Sequence, residues 1–210
     1  MAFAKPDRYF KRVSDIRFKE DLLDQGLDSV LLDIDNTIRS REDGRVPEDV
    51  AQWIDDAVCA GLKVCMLSNN WHANIYELSD KLGVPVVGKA CKPLPGGYIV
   101  ALSRIEAKAR KTVLVGDQMF TDIVGAHFAG IRAYLVDPLT EKDLPYMRAL
   151  RRVENVILKD MEPEVRPAAA DSAEGAPSQE QVDSAEGAAS QKQVDSASQD
   201  SSAAAKPEGN

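Results

Sequence analysis

The chain has 210 residues, 44% of them hydrophobic, and a formal net charge of −8 at pH 7. This length suffices for one ordinary domain with a buried core and an appendage, but it is short for two domains. Residues 1–161 hold 24 acidic and 23 basic residues and the rest of the chain holds ten acidic and three basic ones, so neither part has the concentrated basic surface of a general nucleic-acid binder.

Strand-like and helix-like segments alternate along residues 1–161. From residue 30 onward the pattern begins and ends with a strand, and the successive segments are 30–32, 46–61, 63–70, 74–83, 84–90, 95–109, 112–117, 121–130 and 132–137. Apolar residues at helical spacing mark the helices, and Gly61, Gly83 and Gly130 close three of them. This alternation predicts βαβ crossovers and a parallel sheet with helices on both faces. The predicted fold is a doubly wound, Rossmann-like α/β domain over residues 1–161.

Two flanking segments also have a helical pattern. "PDRYFKRVSDI" (6–16) places Tyr9, Phe10, Val13 and Ile16 in an approximate stripe, and "LPYMRALRRVENVIL" (144–158) has an amphipathic pattern. We expect both segments to form helices that pack on the sheet.

Residues 162–210 differ in composition from the rest of the chain. "DSAEGAPSQEQV" and "DSAEGAASQKQV" form a degenerate twelve-residue repeat, and no aromatic residue follows Met161. A stacked repeat needs an apolar face, which one valine per repeat cannot provide. We predict that this acidic, Ala/Ser/Gln-rich tail is disordered.

The cysteines and the amino terminus indicate a cytoplasmic protein. Cys59, Cys65 and Cys91 are odd in number and lack CxxC spacing, which favours reduced thiols. The sequence "AFAKPDRYFKRV" after Met1 has no apolar signal-peptide core, and no run approaches the ~18 apolar residues of a transmembrane helix. Peripheral contact with the inner membrane surface stays open.

Polar side chains follow four predicted strands at the point where each strand ends. In chain order they are Asp33 and Asp35, Ser68 and Asn69, Lys92, and Asp117 with Asp122. In a doubly wound sheet the carboxyl ends of the strands form the ligand-binding edge. Carboxylates that meet at one point repel one another, and a hard divalent cation relieves that repulsion. Because Lys92 and Ser68 add the positive charge and the hydroxyl that a dianionic group requires, the set predicts a phosphoryl-transfer site with Mg²⁺.

The same residues carry a family resemblance. "DIDNT" (33–37), "LSNN" (67–70), "KP" (92–93) and "GDQMFTD" (116–122) resemble the four ordered motifs of the haloacid dehalogenase (HAD) superfamily of phosphohydrolases. One DxD alone is weak evidence, but four motifs in order, each at a strand end, are specific. The resemblance covers residues 7–160 and is closest to the YqeG-type subgroup of class IIIA phosphatases.

The resemblance implies a role for each matched residue. Asp33 would be the nucleophile that forms an aspartyl-phosphate, and Asp35 the general acid and then the general base. Asp33, Asp117 and the backbone carbonyl of Asp35 would hold Mg²⁺. The substrate phosphate would be bound by Thr37, Ser68, Asn69 and Lys92. Asp122 would support Lys92 or a metal-bound water from outside the metal shell, and the division of roles between Asp117 and Asp122 stays open.

Lys89 competes with Lys92 for the phosphate-binding role. We favour Lys92 because Pro93, which follows it, matches the family motif and restricts the backbone before it to extended conformations. The two histidines, His72 and His127, are not needed for a phosphoaspartate mechanism, so we expect them to be structural.

The spacing of the motifs indicates what kind of substrate the site can accept. The intervals between Asp35 and Ser68 and between Ser68 and Lys92 have no room for a cap domain, so we expect an open site that suits a phosphate on a bulky molecule. The resemblance points to phosphatidylglycerophosphate-type phosphatases and thus to phospholipid metabolism. The segment around Tyr9 and Phe10, with Lys5, Arg8, Lys11 and Arg12, and the cluster Arg148, Arg151 and Arg152 could attract anionic lipid, although solvated helix faces explain these charges equally well.

Two alternatives stay open from the sequence. One is a phosphatase of a soluble sugar phosphate or nucleotide, with the same chemistry. The other is a non-catalytic module that binds phosphate or metal. The sequence does not determine the oligomeric state or the role of the tail.

Overall fold

The structure, a computed structural model, describes residues 4–140 and 161–164. Six parallel strands form one sheet in the order β1-β6-β5-β2-β3-β4. The strands are β1 (Arg8–Phe10), β2 (Ser29–Asp33), β3 (Lys63–Leu67), β4 (Val86–Val87), β5 (Thr112–Gly116) and β6 (Arg132–Val136). The predicted doubly wound α/β fold is therefore confirmed.

Helices cover both faces of the sheet. They are α1 (Glu48–Cys59), α2 (Ala73–Leu82), α3 (Gly96–Arg104) and α4 (Gly125–Phe128). Short helical turns lie at Val13–Asp15, Phe18–Leu22, Leu23–Gln25, Ala109–Lys111 and Met119–Val124. Val30 and Leu32 of β2 pack with Ile54 of α1 on one face, whereas Leu31 packs with Ala101 of α3 on the other. Because both faces of β2 are covered, all five of its residues are buried, as expected for a central parallel strand.

The segment before the first predicted strand differs from expectation. Residues 6–16 do not form one helix, because Arg8–Phe10 is the edge strand β1, with Arg8 opposite Tyr134 of β6. Phe10, Val13 and Ile16 are nevertheless buried, so packing of this segment on the sheet is confirmed.

The aromatic residues of the amino-terminal segment make contacts within the domain, and attraction of its basic residues to anionic lipid stays a prediction. Phe10 has no exposed surface, and the Tyr9 hydroxyl donates a hydrogen bond to Asp137. The guanidinium of Arg8 pairs with the buried Asp21 and with Glu164. Among the described residues, no helix has the length and apolar content needed to span a bilayer.

Most of the tail and the second flanking segment lie outside the described residues. The predicted helix at 144–158, with its arginine cluster, and residues 165–210 belong to that part of the chain. Glu164 lies beyond the predicted boundary at residue 161, yet its backbone N–H donates to the Tyr9 carbonyl at 2.8 Å. The division into a domain of residues 1–161 and a disordered tail of residues 162–210 stays a prediction.

No cap domain interrupts the fold at either expected position. The interval from Asp35 to Ser68, described throughout, holds one loop, α1 and β3, and the interval from Ser68 to Lys92 holds α2 and β4. The carboxyl edge of the sheet is therefore not covered by an inserted domain.

Candidate active site

The site residues lie at the carboxyl ends of four adjacent strands. Strands β5, β2, β3 and β4 are neighbours in the sheet. Asp33 ends β2, Ser68 follows β3, Lys92 follows β4 and Asp117 follows β5. Because all four strands are parallel, the sheet brings these side chains to one edge although they are far apart in the sequence.

Three buried carboxylates meet at this edge. One oxygen from each of Asp33, Asp117 and Asp122 lies within 4.8 Å of the others. The Nζ of Lys92 donates to Asp33 and, at 2.6 Å, to Asp122, and all four residues are buried. One ammonium group therefore faces three carboxylates.

The pKa values reflect this imbalance of charge. Burial raises the pKa of Asp117 well above its ordinary value, the charges of Asp33 and Asp122 raise it further, and Arg41 and Lys92 only partly oppose them. Burial also raises the pKa of Asp122 to about 6, despite its contact with Lys92. The pKa of Lys92 is raised because the charges of Asp122 and Asp33 outweigh the effect of burial. The cluster has too little positive charge to balance its three carboxylates. Its potential metal ligands are carboxylate oxygens, which suit a hard divalent cation.

Asp122 is held in place by the backbone around it. The N–H of Gln118 donates to Asp122 Oδ2 at 3.1 Å. A Cβ on Gly116 would lie 2.5 Å from Asp122 Cγ, so the residue at position 116 must be glycine for the carboxylate to reach Lys92. The predicted helix at 121–130 is found as the π-helical turn Met119–Val124 followed by α4, and Asp122 lies in that turn.

The turn after β2 places Thr37 between two carboxylates. Asn36 has a φ of 75°, a left-handed conformation that asparagine tolerates better than most residues. The Thr37 hydroxyl lies 3.3 Å from Asp33 Oδ2 and 3.2 Å from Asp117 Oδ1, so it can donate to either. The Asn36 side chain donates to the Thr140 carbonyl at 3.0 Å and accepts from the Arg41 N–H at 3.3 Å, which fixes the turn.

Asp35 does not join the carboxylate cluster. Its carboxylate pairs with the guanidinium of Arg39, four residues later. The sequence prediction missed Arg39, and it also missed Arg41, whose charge reaches Asp117. The signal was available, because two arginines follow "DIDNT" within four residues.

The side chain of Asn69 contacts the backbone of Lys92. Its Oδ1 accepts from the Lys92 N–H at 2.6 Å and its Nδ2 donates to the Lys92 carbonyl at 3.1 Å. The side-chain amide of Asn69 thus holds the backbone of Lys92 on both sides, and its predicted contact with the substrate phosphate stays a prediction. Ser68 is buried, and its Oγ accepts from the Asn70 N–H at 3.0 Å. The Ser68 hydroxyl proton has no acceptor within the described part of the chain and can donate to a ligand.

Lys89, the competitor of Lys92, lies elsewhere. Its Nζ is 4.6 Å from the centre of the Trp71 ring, in a cation–π contact. Lys92 is thus the lysine in contact with the carboxylates. His127 forms a hydrogen bond of 3.0 Å with Asp7, a residue outside the cluster.

Comparison with known proteins gives one relative that matches most of this chain and two shorter matches. Residues 89–143 match a family model described as HAD-hydrolase-like. The probable phosphatase YqeG from Bacillus subtilis (strain 168) is 30% identical over 156 residues, which cover 74% of this chain and 90% of that protein. A ribulose-1,5-bisphosphate 5-phosphatase from Halopiger xanaduensis is 36% identical over 52 residues, 25% of this chain and 22% of that protein.

Among solved structures, the cobalt-bound deoxy-D-mannose-octulosonate 8-phosphate phosphatase from Haemophilus influenzae aligns with this chain. Its TM-score is 0.45 and its sequence identity 13%, over 64% of this chain and 89% of that chain.

Proposed function

The chain belongs to the HAD superfamily of phosphatases, and from this premise we propose that it is a Mg²⁺-dependent phosphomonoester hydrolase that works through an aspartyl-phosphate on Asp33. The observation that carries the proposal is the buried cluster of Asp33, Asp117 and Asp122 around Lys92. Such a charge-dense, buried group is costly to maintain for stability alone, which favours a functional role.

The proposed reaction has two steps. The Asp33 carboxylate attacks phosphorus, the bond from phosphorus to the leaving oxygen breaks, and Asp35 gives its proton to that oxygen. Water then attacks the phosphoaspartate while Asp35 accepts its proton, which releases inorganic phosphate and restores Asp33. Lys92, in contact with Asp33, places positive charge next to the nucleophile and the bound phosphate.

Asp35 must separate from Arg39 to take part in this chemistry. The salt bridge between them holds the carboxylate away from the cluster, with a quarter of the Asp35 side chain exposed. An arriving anionic substrate competes with Asp35 for the guanidinium, so substrate binding itself would release the acid. Arg39 is therefore proposed as a positioning residue for Asp35.

The metal site would use Asp33, Asp117 and the backbone carbonyl of Asp35. When bound there, Mg²⁺ would supply the positive charge that an anionic nucleophile and an anionic phosphoryl group both need. Asp122 is engaged by Lys92 and by the Gln118 N–H, which supports its assignment as the residue that orients Lys92.

For the substrate we propose a phosphate on a bulky molecule, with phosphatidylglycerophosphate as the leading candidate. The uncapped sheet edge supports this proposal. Three large apolar side chains on the segments that follow β3, β4 and β5 at this edge, Trp71, Leu94 and Phe120, are 59%, 64% and 52% exposed, which suits contact with lipid. A protein acting on such a substrate would work peripherally at the membrane surface.

A soluble sugar bisphosphate is the second candidate. The segment similar to the ribulose-1,5-bisphosphate 5-phosphatase favours it, although that segment is a quarter of the chain. Both candidates are phosphomonoesters that carry a second phosphate.

Phosphate release tests the proposed activity. Hydrolysis of p-nitrophenyl phosphate should require Mg²⁺, stop with EDTA and be absent in Asp33→Asn. A screen of phosphomonoesters that includes phosphatidylglycerophosphate in mixed micelles then ranks the substrates. Full activity in EDTA or in Asp33→Asn would overturn the proposed mechanism.

A further inference from the structure

We propose that a cleft beside Asp35 binds a second anionic group in the leaving part of the substrate, which makes the enzyme selective for phosphomonoesters that carry another phosphate. The cationic residues of this cleft are Arg39, Arg41, Arg45 and Lys81, and we refer to them as the cationic cleft. The inference rests on the proposed hydrolase function and adds a specificity site to it.

The cleft is large enough for the leaving part of a substrate. Its volume is about 730 Å³, and two separate parts of the chain form its walls. One wall is the loop from Arg39 to Val46, and the other is the face of α2 that carries Asn74, Glu77 and Lys81. A cleft of this size lies within the range of ordinary small-molecule sites.

The charge of the cleft favours an anion. Four cationic side chains line it, and the acidic ones are Asp35 and Glu77. Asp35 is already engaged by Arg39. The side chain of Arg45 is 86% exposed, and its Nε is 4.0 Å from Asp43, at the limit of an ion pair. Arginine and lysine directed into one concave surface are the usual means of binding phosphate in proteins.

The position of the cleft connects it to the reaction. Asp35 lines the cleft, and as the proposed acid it must face the leaving oxygen. The phosphoryl group belongs with Asp33 and Lys92, so the remainder of the molecule extends past Asp35 into the cleft. A second anion there would meet Arg41 and Arg45 and compete for Arg39, the partner of Asp35.

An alternative is that these charged side chains only keep the protein soluble and bind no ligand. Arg39 argues against it, because this arginine is just 9% exposed and its charge is therefore largely removed from water. Lys81 near the end of α2 is compatible with either view, since a cation there also stabilises the helix dipole. The two views predict different kinetics for matched substrates.

The test compares butanediol bisphosphate with butyl phosphate, which differ in the second phosphate. Wild-type protein with Mg²⁺ should prefer the bisphosphate in kcat/KM by at least about tenfold, the factor expected for one charge-assisted contact. In the double variant Arg45→Gln/Lys81→Gln this ratio should fall toward one, and added salt should lower the wild-type ratio.

The matched control is Lys108→Gln/Arg110→Gln. It removes the same charge from exposed residues that precede β5, at the opposite edge of the sheet from Asp117. The control should keep the wild-type ratio. A wild-type ratio near one, or an equal loss of the ratio in the control, would overturn the proposal.

Two further experiments identify the source of the anion and distinguish a failure of this proposal from a failure of the proposed function. If the second anion is the phosphodiester of a lipid headgroup, the double variant should lose more activity on phosphatidylglycerophosphate micelles than on butanediol bisphosphate, and the reverse indicates a soluble bisphosphate. Calorimetric titration of Asp33→Asn with both butyl compounds measures binding without turnover. Tighter binding of the bisphosphate to this variant, together with a wild-type protein that hydrolyses neither compound, would uphold the cleft and reject the hydrolase function.

Discussion

The ammonium of Lys92 contacts the carboxylate of Asp33 in a buried ion pair, although 59 residues separate them in the chain. The pair exists because β2 and β4 both flank β3 and end at the same edge of the sheet. The same ammonium also pairs with Asp122, so Lys92 joins two of the three carboxylates of the cluster.

Replacing Lys92 by methionine should therefore affect both stability and catalysis. We expect kcat to fall by about a hundredfold or more, because a preorganised charge beside the phosphoryl group is lost. Metal-free protein should lose about 3–5 kcal/mol in its free energy of unfolding, since the buried carboxylates of Asp33 and Asp122 lose their ion-pair partner. Phosphate release and urea unfolding with EDTA measure the two effects.

Lys89→Met is the matched control. It removes a lysine three positions away that contacts Trp71 rather than the carboxylates. A loss of activity in this variant as large as in Lys92→Met would contradict the assignment of Lys92.

Substitution of each aspartate of "DIDNT" should distinguish formation of the phosphoenzyme from its breakdown. With p-nitrophenyl phosphate, whose leaving group needs little protonation, Asp35→Asn should still form the aspartyl-phosphate but hydrolyse it at least about a hundredfold more slowly. Asp33→Asn should form none. Intact-mass measurement after acid quenching detects the intermediate. Phosphate found on any residue other than Asp33 would contradict the mechanism.

Acidification should stabilise the metal-free protein. Burial gives Asp122 a pKa of about 6 in the folded state, above its ordinary value of 3.8. Between these values the folded state holds a proton that the unfolded state has lost, so stability is gained as the pH falls through about 6 and lost as it rises. The pKa of Asp117 is raised too and acts in the same direction.

The measurement is Tm in EDTA at about pH 7.5 and about pH 5, repeated with Mg²⁺. Because the cation supplies the missing positive charge, Mg²⁺ should raise Tm by several degrees at the higher pH and less at the lower one. Asp122→Asn should have a smaller pH dependence than the wild type. Metal-free protein that loses stability on acidification over this range would contradict the expected sign.

The sequence predicted the elements whose pattern is local and missed contacts that depend on tertiary structure. β2, β3 and β5 were predicted because a buried parallel strand is a continuous apolar run. β1 was missed because three residues carry no clear period and the strand exists only by pairing with β6. The expected helix at 121–130 begins instead as the turn Met119–Val124, and this turn directs Asp122 toward Lys92.

In the candidate site, too, the sequence predicted which residues take part but not the tertiary contacts between them. The motifs identified the residues that meet, since each follows a strand and the carboxyl ends of parallel strands converge. They did not reveal that Asn69 holds the backbone of Lys92 or that Arg39 holds Asp35. Both contacts depend on side-chain directions in loops, which sequence spacing does not determine.

The Gly116→Ala substitution tests whether the packing of Asp122 maintains the site. The new methyl group would lie 2.5 Å from Asp122 Cγ, so the carboxylate must move away from Lys92. We expect a loss of about 1–3 kcal/mol in the free energy of unfolding from overpacking, and a fall in kcat because Lys92 loses one of its two anchors. Gly96→Ala is the control, because a Cβ at Gly96 meets no atom within 4 Å. If both variants keep wild-type kcat, then the contact between Asp122 and Lys92 does not position the lysine for catalysis.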